Sequence, residues 1–527
     1  MTLSDHLIIL PILLPMLAGV VLTLIDERHR AAKLAINIAA TVLLVAVSAM
    51  LLGRVGGDAE ALNVTYRLGD WPAPFAIVLV GDRLAALMVM LASVLALAAV
   101  TFSIARWHRA GAHFHTLFQL LLMGLNGAFL TGDLFNLFVF FEILLAASYG
   151  LALHGSGKAR VRAGLHYIAF NLATSALFLI GVSLVYGVAG TLNMADLAAR
   201  MASVPADSRP LLDAGLALLG VAFLVKAGMW PLSFWLPTTY AAASAPVAAV
   251  FAIMSKVGVY VLLRMSGLLD GFAEQFLFYG GLATMIFGTI GILSSQELTR
   301  MVGFIVLLSS GTTMAMLGYG DPAVTAGAMY YLVASTLGLS CLFLVAELME
   351  RGRLAEADIF AVTLEAFGDD EEVEHNEEIG VAVPATMILL GLSFAACGVL
   401  LAGMPPLGGF IGKFAMLQGM LGAPGGNDGA VPAATWALMA VLILSGLATM
   451  IAMLRTGINR FWAPTDDTVP RVRVVEIAPI AMLLGLSVVL VVLAGSAMGF
   501  MQVMSDSIYH PDSYVETVLG VVSGGAP

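Results

Sequence analysis

Charge is scarce in this chain. Only 11% of its 527 residues are Asp, Glu, Lys or Arg, whereas soluble domains carry about 25%. A chain of this size has too little polar cover for a water-facing surface, so a soluble enzyme is excluded. Positive charge is scarcer still, with 24 Lys and Arg against 35 Asp and Glu and a net charge of −11. No basic face is available to displace counterions from phosphates, which argues against nucleic acid as a partner. Cysteine is almost absent: Cys341 and Cys397 each sit inside an apolar run, with no C-x-x-C or paired Cys/His spacing. Iron–sulfur clusters, c-type haem and structural zinc therefore find no ligands. The sequence also lacks a nucleophile–base pair, a phosphate loop and a dinucleotide fingerprint. The expectation is a chain with no cofactor, no metal site and no redox centre of its own.

What the chain does have is apolar length. Hydrophobic residues make up 60% of it, and the mean hydropathy is +0.97. A membrane span needs about 20 apolar residues, and about fourteen such stretches can be counted. The fold class expected is an all-α polytopic membrane protein. Residues 6–25 carry no Lys or Arg ahead of them and read as a first span rather than a cleaved leader. With the N-terminus outside, cytoplasmic loops and helix ends hold fifteen Lys/Arg against five on the outer side. By the positive-inside rule, both termini then face outward from a cell (plasma) membrane.

Two soluble pieces interrupt the pattern. Residues 62–82 alternate weakly between turn residues and predict an outward β-hairpin. Residues 355–380 include Asp369, Asp370, Glu371, Glu372, Glu374, Glu377 and Glu378; they read as a solvated cytoplasmic loop or, alternatively, a docking surface.

An internal repeat is visible. Ala227-Gly228-Met229-Trp230-Pro231-Leu232 and Ala402-Gly403-Met404-Pro405-Pro406-Leu407 agree at five of six positions. An odd number of spans separates them, so the units run in opposite directions, the inverted-repeat construction of many transporters. The expected organisation is spans one to three with the hairpin (1–110), a first five-helix unit (111–270), a second (271–462), and a last span with a short outward tail (463–527). Pro231 and Pro237 predict a break in helix 7, and Pro405 and Pro406 one in helix 12. Backbone freed at that depth is tolerated where protein or water receives it.

Ionisable residues at mid-membrane are costly, at least ~2.5–3.5 kcal/mol each. At ~1.5 Å per residue, Glu142, Lys226, Lys256 and Lys413 all fall near the middle of their spans. One Glu–Lys packing pair would leave two lysines without an acidic mate. A row of exchangeable protonation sites reached by internal water explains all four, because burial and a mobile carboxylate move a lysine's proton affinity in opposite directions. Arg264, about four residues from its span's outer end, is expected to snorkel to the interface. His166 is either an interfacial histidine or a relay.

These residues lie in familiar motifs. Gly132-Asp133-Leu134-Phe135-Asn136-Leu137-Phe138-Val139-Phe140-Phe141-Glu142 resembles the fifth-helix segment of the antiporter-like family. Phe223-Leu224-Val225-Lys226-Ala227-Gly228 is similar to its seventh-helix motif, Ser255-Lys256-Val257-Gly258 to its eighth and Pro405-Pro406-Leu407-Gly408-Gly409-Phe410-Ile411-Gly412-Lys413 to its twelfth. That family includes large membrane subunits of respiratory complex I, of membrane-bound hydrogenases and of multisubunit Mrp-type (also Pha or Mnh) cation/proton antiporters. The resemblance is greatest to the D-type subunits of the last group. It implies that Glu142 and Lys226 form a fifth/seventh-helix pair, Lys256 a central relay and Lys413 a terminal site on a proton path. It also implies partner subunits in a hetero-oligomer, the lipid bilayer as surroundings, and exchange of protons for Na⁺ or K⁺. The alternatives are a proton-pumping subunit of a redox complex and a non-transporting scaffold. Many relatives carry His or Lys in the eleventh helix, where this chain has only hydroxyls. A relay from Lys256 to Lys413 is therefore expected to use water held by Ser309, Thr312, Ser335 or Thr336.

Overall fold

The computed structural model describes residues 5–57, 63–269, 271, 273–367, 385–422, 431–461 and 472–520. Helices dominate because the apolar runs leave no water to satisfy backbone groups, and a helix satisfies them within itself. Twelve described helices are long and apolar enough to cross a membrane, and two shorter apolar ones, α1 (Leu10–Leu24) and α4 (Phe114–Leu130), accompany them. The twelve are α2 (Arg30–Gly56), α3 (Arg83–Ser103), α5 (Leu134–Ala152), α6 (Lys158–Ala189), α8 (Arg209–Ala227), α10 (Ala245–Leu268), α11 (Glu274–Ser294), α12 (Leu298–Leu317), α13 (Pro322–Phe367), α14 (Ala385–Ala402), α16 (Ala433–Phe461) and α17 (Val474–Val492). Shorter helices are α7 (Met194–Arg200), α9 (Trp235–Ala242), α15 (Gly408–Gly422), α18 (Ala494–Tyr509) and α19 (Asp512–Leu519).

Helix α10 is buried along its whole length, and α12 and α13 nearly so, whereas only 33% of the α2 window and 28% of the α17 window is buried. The centre of the molecule is therefore the α10–α12–α13 contact, and the greasy outer faces of α2 and α17 meet lipid or partner chains.

The two helix interruptions are built alike. Helix α8 ends at Gly228 with φ +78, its N–H bonded to the Val225 carbonyl and that of Met229 to Leu224. Helix α14 ends before Gly403 with φ +75, where the same two bonds run from Gly403 to Leu400 and from Met404 to Val399. A left-handed residue closing a helix in this way favours glycine, and each of these positions is 175 residues from its counterpart. Pro231, Pro405 and Pro406 lie in these breaks, as their missing N–H groups require. Pro237 does not: it sits in the first turn of α9, where no intrahelical N–H bond is lost.

Two soluble features differ from expectation. Strands β1 (Asn63–Arg67) and β2 (Val78–Asp82) pair antiparallel, Asn63 opposite Asp82, but every residue of β2 is buried. The pair is part of the packed body rather than a free projection, and α19 packs against β1. Helix α13 continues to Phe367, where a loop is expected from residue 355. Residues 354–367 are rich in Ala, Leu and Glu, good helix formers, so loss of hydrophobicity ends the span without ending the helix. The acidic residues 369–378 lie outside the described residues.

Candidate functional site

Three lysines sit deep among the packed helices, Lys226 on α8, Lys256 on α10 and Lys413 on α15. They are 7%, 0% and 7% exposed. A buried ammonium needs acceptors, and each finds neutral oxygen rather than a carboxylate.

Lys226 Nζ donates to Asn171 Oδ1 on α6 at 3.0 Å and lies 5.5 Å from the centre of the Phe141 ring. Among the described residues no ion pair within 4 Å joins it to Glu142, one residue on from that phenylalanine. Glu142 Oε1 is buried without a hydrogen-bond partner. The expected pair is thus two neighbours, not a closed salt bridge. A small cavity lined by Lys226, Asn171, Tyr167, Trp235 and Met254 has room for about one water. The Trp235 indole N–H, buried and unpartnered, is available to such a water.

Lys256 anchors a cluster of hydroxyls. Its Nζ donates to Ser309 at 2.9 Å and to Ser310 at 3.0 Å, both on α12. Ser309 shares a hydrogen bond of 2.8 Å with Ser335 on α13, and Ser310 donates to Ser255 at 3.2 Å. A Cβ on Gly258 would stand 2.5 Å from the Ala227 nitrogen, so this glycine lets α10 lie directly against the lysine-bearing end of α8.

Lys413 reaches back across the second break. Its Nζ donates to the Ala402 carbonyl at 2.9 Å, at the C-terminal end of α14, where the helix dipole favours a cation. The space is made by glycine: a Cβ on Gly403 would meet the Lys413 side chain at 2.5 Å, and one on Gly446 would stand 3.0 Å from its Nζ. The Tyr331 ring centre lies 6.0 Å from that Nζ, and the Tyr331 hydroxyl faces Ser309 and Thr312. Tyr331 thus stands between the Lys256 cluster and Lys413.

Of the other expected residues, Ser309 and Ser335 join the cluster directly, and Thr312 bonds to the Leu308 carbonyl of its own helix. Thr336 bonds to the Leu332 carbonyl of its own helix. His166 is not brought to the site: it is exposed on α6 and bonded to the Arg162 carbonyl. The inward face of α6 carries Tyr167, Asn171 and Thr174 instead, and His166 is one residue, about 100°, off that stripe.

Arg264 corrects another expectation. It does not snorkel; it is 7% exposed and makes a two-armed ion pair with Asp82, supported by the Tyr260 hydroxyl at 3.0 Å and the Tyr514 ring. Asp82 also caps α3 by accepting from the Ala85 N–H. The inward packing of β2 places this carboxylate where solvent was expected to be.

Asn171, Ser310 and Tyr331 were not picked out as site residues by sequence reasoning. Asn171 has a readable signal, an amide in mid-span four residues after Tyr167 on one face. Among the described residues, no group of three or more His, Cys, Asp or Glu is arranged to hold a metal ion.

Residues 131–426, which span both breaks and all four ionisable positions, match the family model described as NADH:quinone oxidoreductase/Mrp antiporter, TM. The chain is 56% identical to the D-type subunit of a probable K⁺/H⁺ antiporter of Rhizobium meliloti (strain 1021), over 99% of each chain. It is 32% identical to the D-type subunit of an Na⁺/H⁺ antiporter of Alkalihalophilus pseudofirmus, over 98% of this chain and 99% of that one. A chain in the structure of the Mrp complex from Dietzia sp. DQ12-45-1b shares the fold, with TM-score 0.80 at 24% identity over 99% of this chain and 100% of that one.

Proposed function

Because the chain belongs to the NADH:quinone oxidoreductase/Mrp antiporter membrane family, we propose that it is the proton-translocating subunit of a multisubunit Na⁺ or K⁺/H⁺ antiporter. The observation that carries this reading is the row of buried lysines held by neutral oxygens. A lysine tied to a carboxylate is fixed in the charged state, whereas one held by an amide, hydroxyls or a carbonyl can lose its proton without stranding a buried anion. In this reading Glu142 biases Lys226, Lys256 passes charge through Ser309, Ser335 and Tyr331, and Lys413 is the terminal site.

The finer architecture belongs to the same proposal. Counting α1 and α4 as spans, and each broken pair as one, gives fourteen crossings. The matched closures at Gly228 and Gly403 support two five-helix units, 111–270 and 271–462, of inverted direction, between an N-terminal unit (1–110) and a C-terminal one (463–527). The bias of basic residues supports a plasma-membrane protein with both termini outward. As a transporter subunit rather than an enzyme, the chain supplies no redox chemistry. One mid-membrane carboxylate is thin provision for Na⁺ or K⁺, so the cation crosses elsewhere in the complex.

The test uses inverted vesicles containing the whole complex, energised by an independent respiratory donor and monitored with a pH-sensitive dye. Addition of NaCl or KCl is expected to shift the pH in wild type and not in Glu142→Ala at equal assembly. An unchanged response in the variant overturns the assigned path. Acidification tied to a co-purifying redox partner, with no cation response, moves the chain to the pumping class.

A further inference from the structure

Away from the lysine row, a buried hydrogen-bond chain ties α2 to α4. Asn37 and Thr41 on α2 and Gln119 on α4 are fully enclosed, and His115, in the first turn of α4, is 4% exposed. Thr41 gives its one proton to the Asn37 carbonyl at 2.8 Å, so its oxygen accepts from Gln119 Nε2, 3.1 Å away. The same Nε2 donates to Asn37 Oδ1 at 2.6 Å, which turns Asn37 Nδ2 toward His115 Nδ1 at 2.7 Å. His115 Nδ1 is therefore an acceptor, and the ring is neutral with its proton on Nε2. That Nε2 and Gln119 Oε1 are both buried without partners.

A proton arriving on His115 Nδ1 would be met by the N–H groups of Asn37, but the chain has a second complete arrangement. If both amides turn over, His115 Nδ1–H donates to Asn37 Oδ1, and Asn37 Nδ2 and the Thr41 hydroxyl donate to Gln119 Oε1. This second arrangement uses the oxygen that the first leaves unpartnered. A residue kept only as an acceptor for Asn37 would be served by asparagine. The titratable groups facing His115 are Glu27, Lys33, His108 and His154. Glu27 is paired with Lys33 at 2.6 Å and with exposed His113 at 3.2 Å, so this corner meets water. The His108 ring centre is 5.7 Å from that of His115, its Nε2 accepts from Arg109, and Arg30 also faces it.

Helix α4 cannot move without α5. A Cβ on Gly124 would stand 2.7 Å from the Leu144 nitrogen, and Gly127 lies directly against the Phe140 ring. Phe140 and Leu144 share one face of α5, and Glu142, two residues from each, lies on the opposite face. Helix α4 thus presses on the back of the helix that presents Glu142. We propose that His115 is a regulatory proton-binding site. Its protonation turns over the Asn37 and Gln119 amides, shifts α4 against α2 and, through α5, moves Glu142 relative to Lys226, slowing exchange as the pH falls at this end of the molecule. This rests on the reading of Glu142 as the charge that biases Lys226. The proton bound here is an effector, not the one transported.

The experiment compares wild type, His115→Asn, Asn37→Asp and Glu142→Ala as assembled complex in inverted vesicles, with pH varied at a constant gradient. In His115→Asn an amide oxygen stands in for Nδ1 and does not titrate. The proton concentration that halves exchange is then expected to rise roughly tenfold, the least that a hydrogen bond to a charged group is worth. Asn37→Asp puts a carboxylate beside Nδ1, holds the ring protonated, and is expected to slow exchange at every pH. Hydrogen–deuterium exchange of α2 and α4 peptides reads the switch without transport. Wild type is expected to lose protection on acidification, beyond the intrinsic pH dependence of amide exchange, and His115→Asn is expected to keep it. A wild-type pH profile in His115→Asn, full activity in Asn37→Asp, or equal loss of protection in wild type and His115→Asn overturns the switch. If Glu142→Ala exchanges normally, the reading of Glu142 falls, and the link from His115 to it falls as well. If Glu142→Ala is inactive while His115→Asn keeps the wild-type profile, that reading stands and the switch alone is refuted.

Discussion

The cradle around Lys413 makes Gly446→Ala an informative perturbation. Gly446 lies inside helix α16, where alanine is the better residue by about 1 kcal/mol, so local propensity favours the change. Its added methyl would, however, stand 2.6 Å from the Ala402 carbonyl oxygen and 3.0 Å from Lys413 Nζ. The carbonyl belongs to the closed end of α14 and cannot swing alone, so α14 and α16 must move apart at this point and the ammonium must give way, losing its bond to Ala402. A hydrogen bond to a charged group contributes about 1.5–3 kcal/mol. Overpacking adds about 1–3 kcal/mol, so after the helix gain the net cost to folding is about 1.5–5 kcal/mol, and rates are compared per assembled complex. Transport bears the whole loss, and at about 1.4 kcal/mol per tenfold that is roughly a 10- to 100-fold slower cation-triggered pH change. The control is Gly485→Ala on α17, where a Cβ meets nothing within 4 Å. Assembled complex with Gly446→Ala exchanging at the wild-type rate would refute the reasoning.

Asp82→Asn should cost about 3–5 kcal/mol by leaving the Arg264 guanidinium buried and unpaired, read as a lower Tm or loss of assembled complex, whereas Asp82→Leu with Arg264→Met should recover most of it. Tyr331→Phe keeps the ring beside Lys413 and removes the hydroxyl facing Ser309 and Thr312; roughly tenfold slower exchange at equal assembly is expected, about the value of one hydrogen bond, and an unchanged rate removes Tyr331 from the relay. His108 and His154, at the corners before α4 and after α5, are both held below the usual 6.5 chiefly by burial, aided at His108 by Arg109 and Arg30 and, at His154, opposed by its bond to the Trp107 carbonyl and aided by Arg160. Because the folded state favours their neutral forms, their contribution is full above about 6.5 and is lost as pH falls through the lower folded values; the Tm should drop on acidification, less steeply in His108→Gln with His154→Gln.

Much of the helical architecture was legible because apolar length is a direct physical signal. A run such as 245–268 has no stable place in water, and Gly228 and Gly403 mark the breaks by the backbone conformation they permit. Where α13 stops was not legible, because the residues after Arg351 lose hydrophobicity but keep helix propensity, and a hydropathy argument sees only the first. Arg264 departs from its expected place at the interface for a different reason. Its depth along α10 was right, but its partner Asp82 lies 182 positions earlier, in a segment whose alternation gave no hint that β2 folds inward.

The lysines were legible one by one because a cation in mid-span is expensive wherever it lies. Their partners were not, because neutral oxygens carry no such cost. Ser309, Ser310 and Ser335 are ordinary small residues of apolar helices until α10, α12 and α13 are brought together, and the Ala402 carbonyl becomes an acceptor only because α14 ends there. Asn171 is the exception, since an amide at mid-span asks for a partner, and the structure supplies Lys226. The pairing has a functional consequence. With a carboxylate beside each lysine, every deprotonation would leave a buried anion, and the row would be locked in its charged form. With amide, hydroxyl and carbonyl partners, both protonation states of each lysine are tolerated, so one negative charge at Glu142 is enough to bias the row from its end. Replacing Asn171 by Asp should therefore fix Lys226 in the charged state and stop exchange while leaving the fold intact, whereas Asn171→Gln should retain it. Vesicle exchange rates at equal assembly distinguish the two, and an active Asn171→Asp would show that neutrality of the partner is not what the site requires.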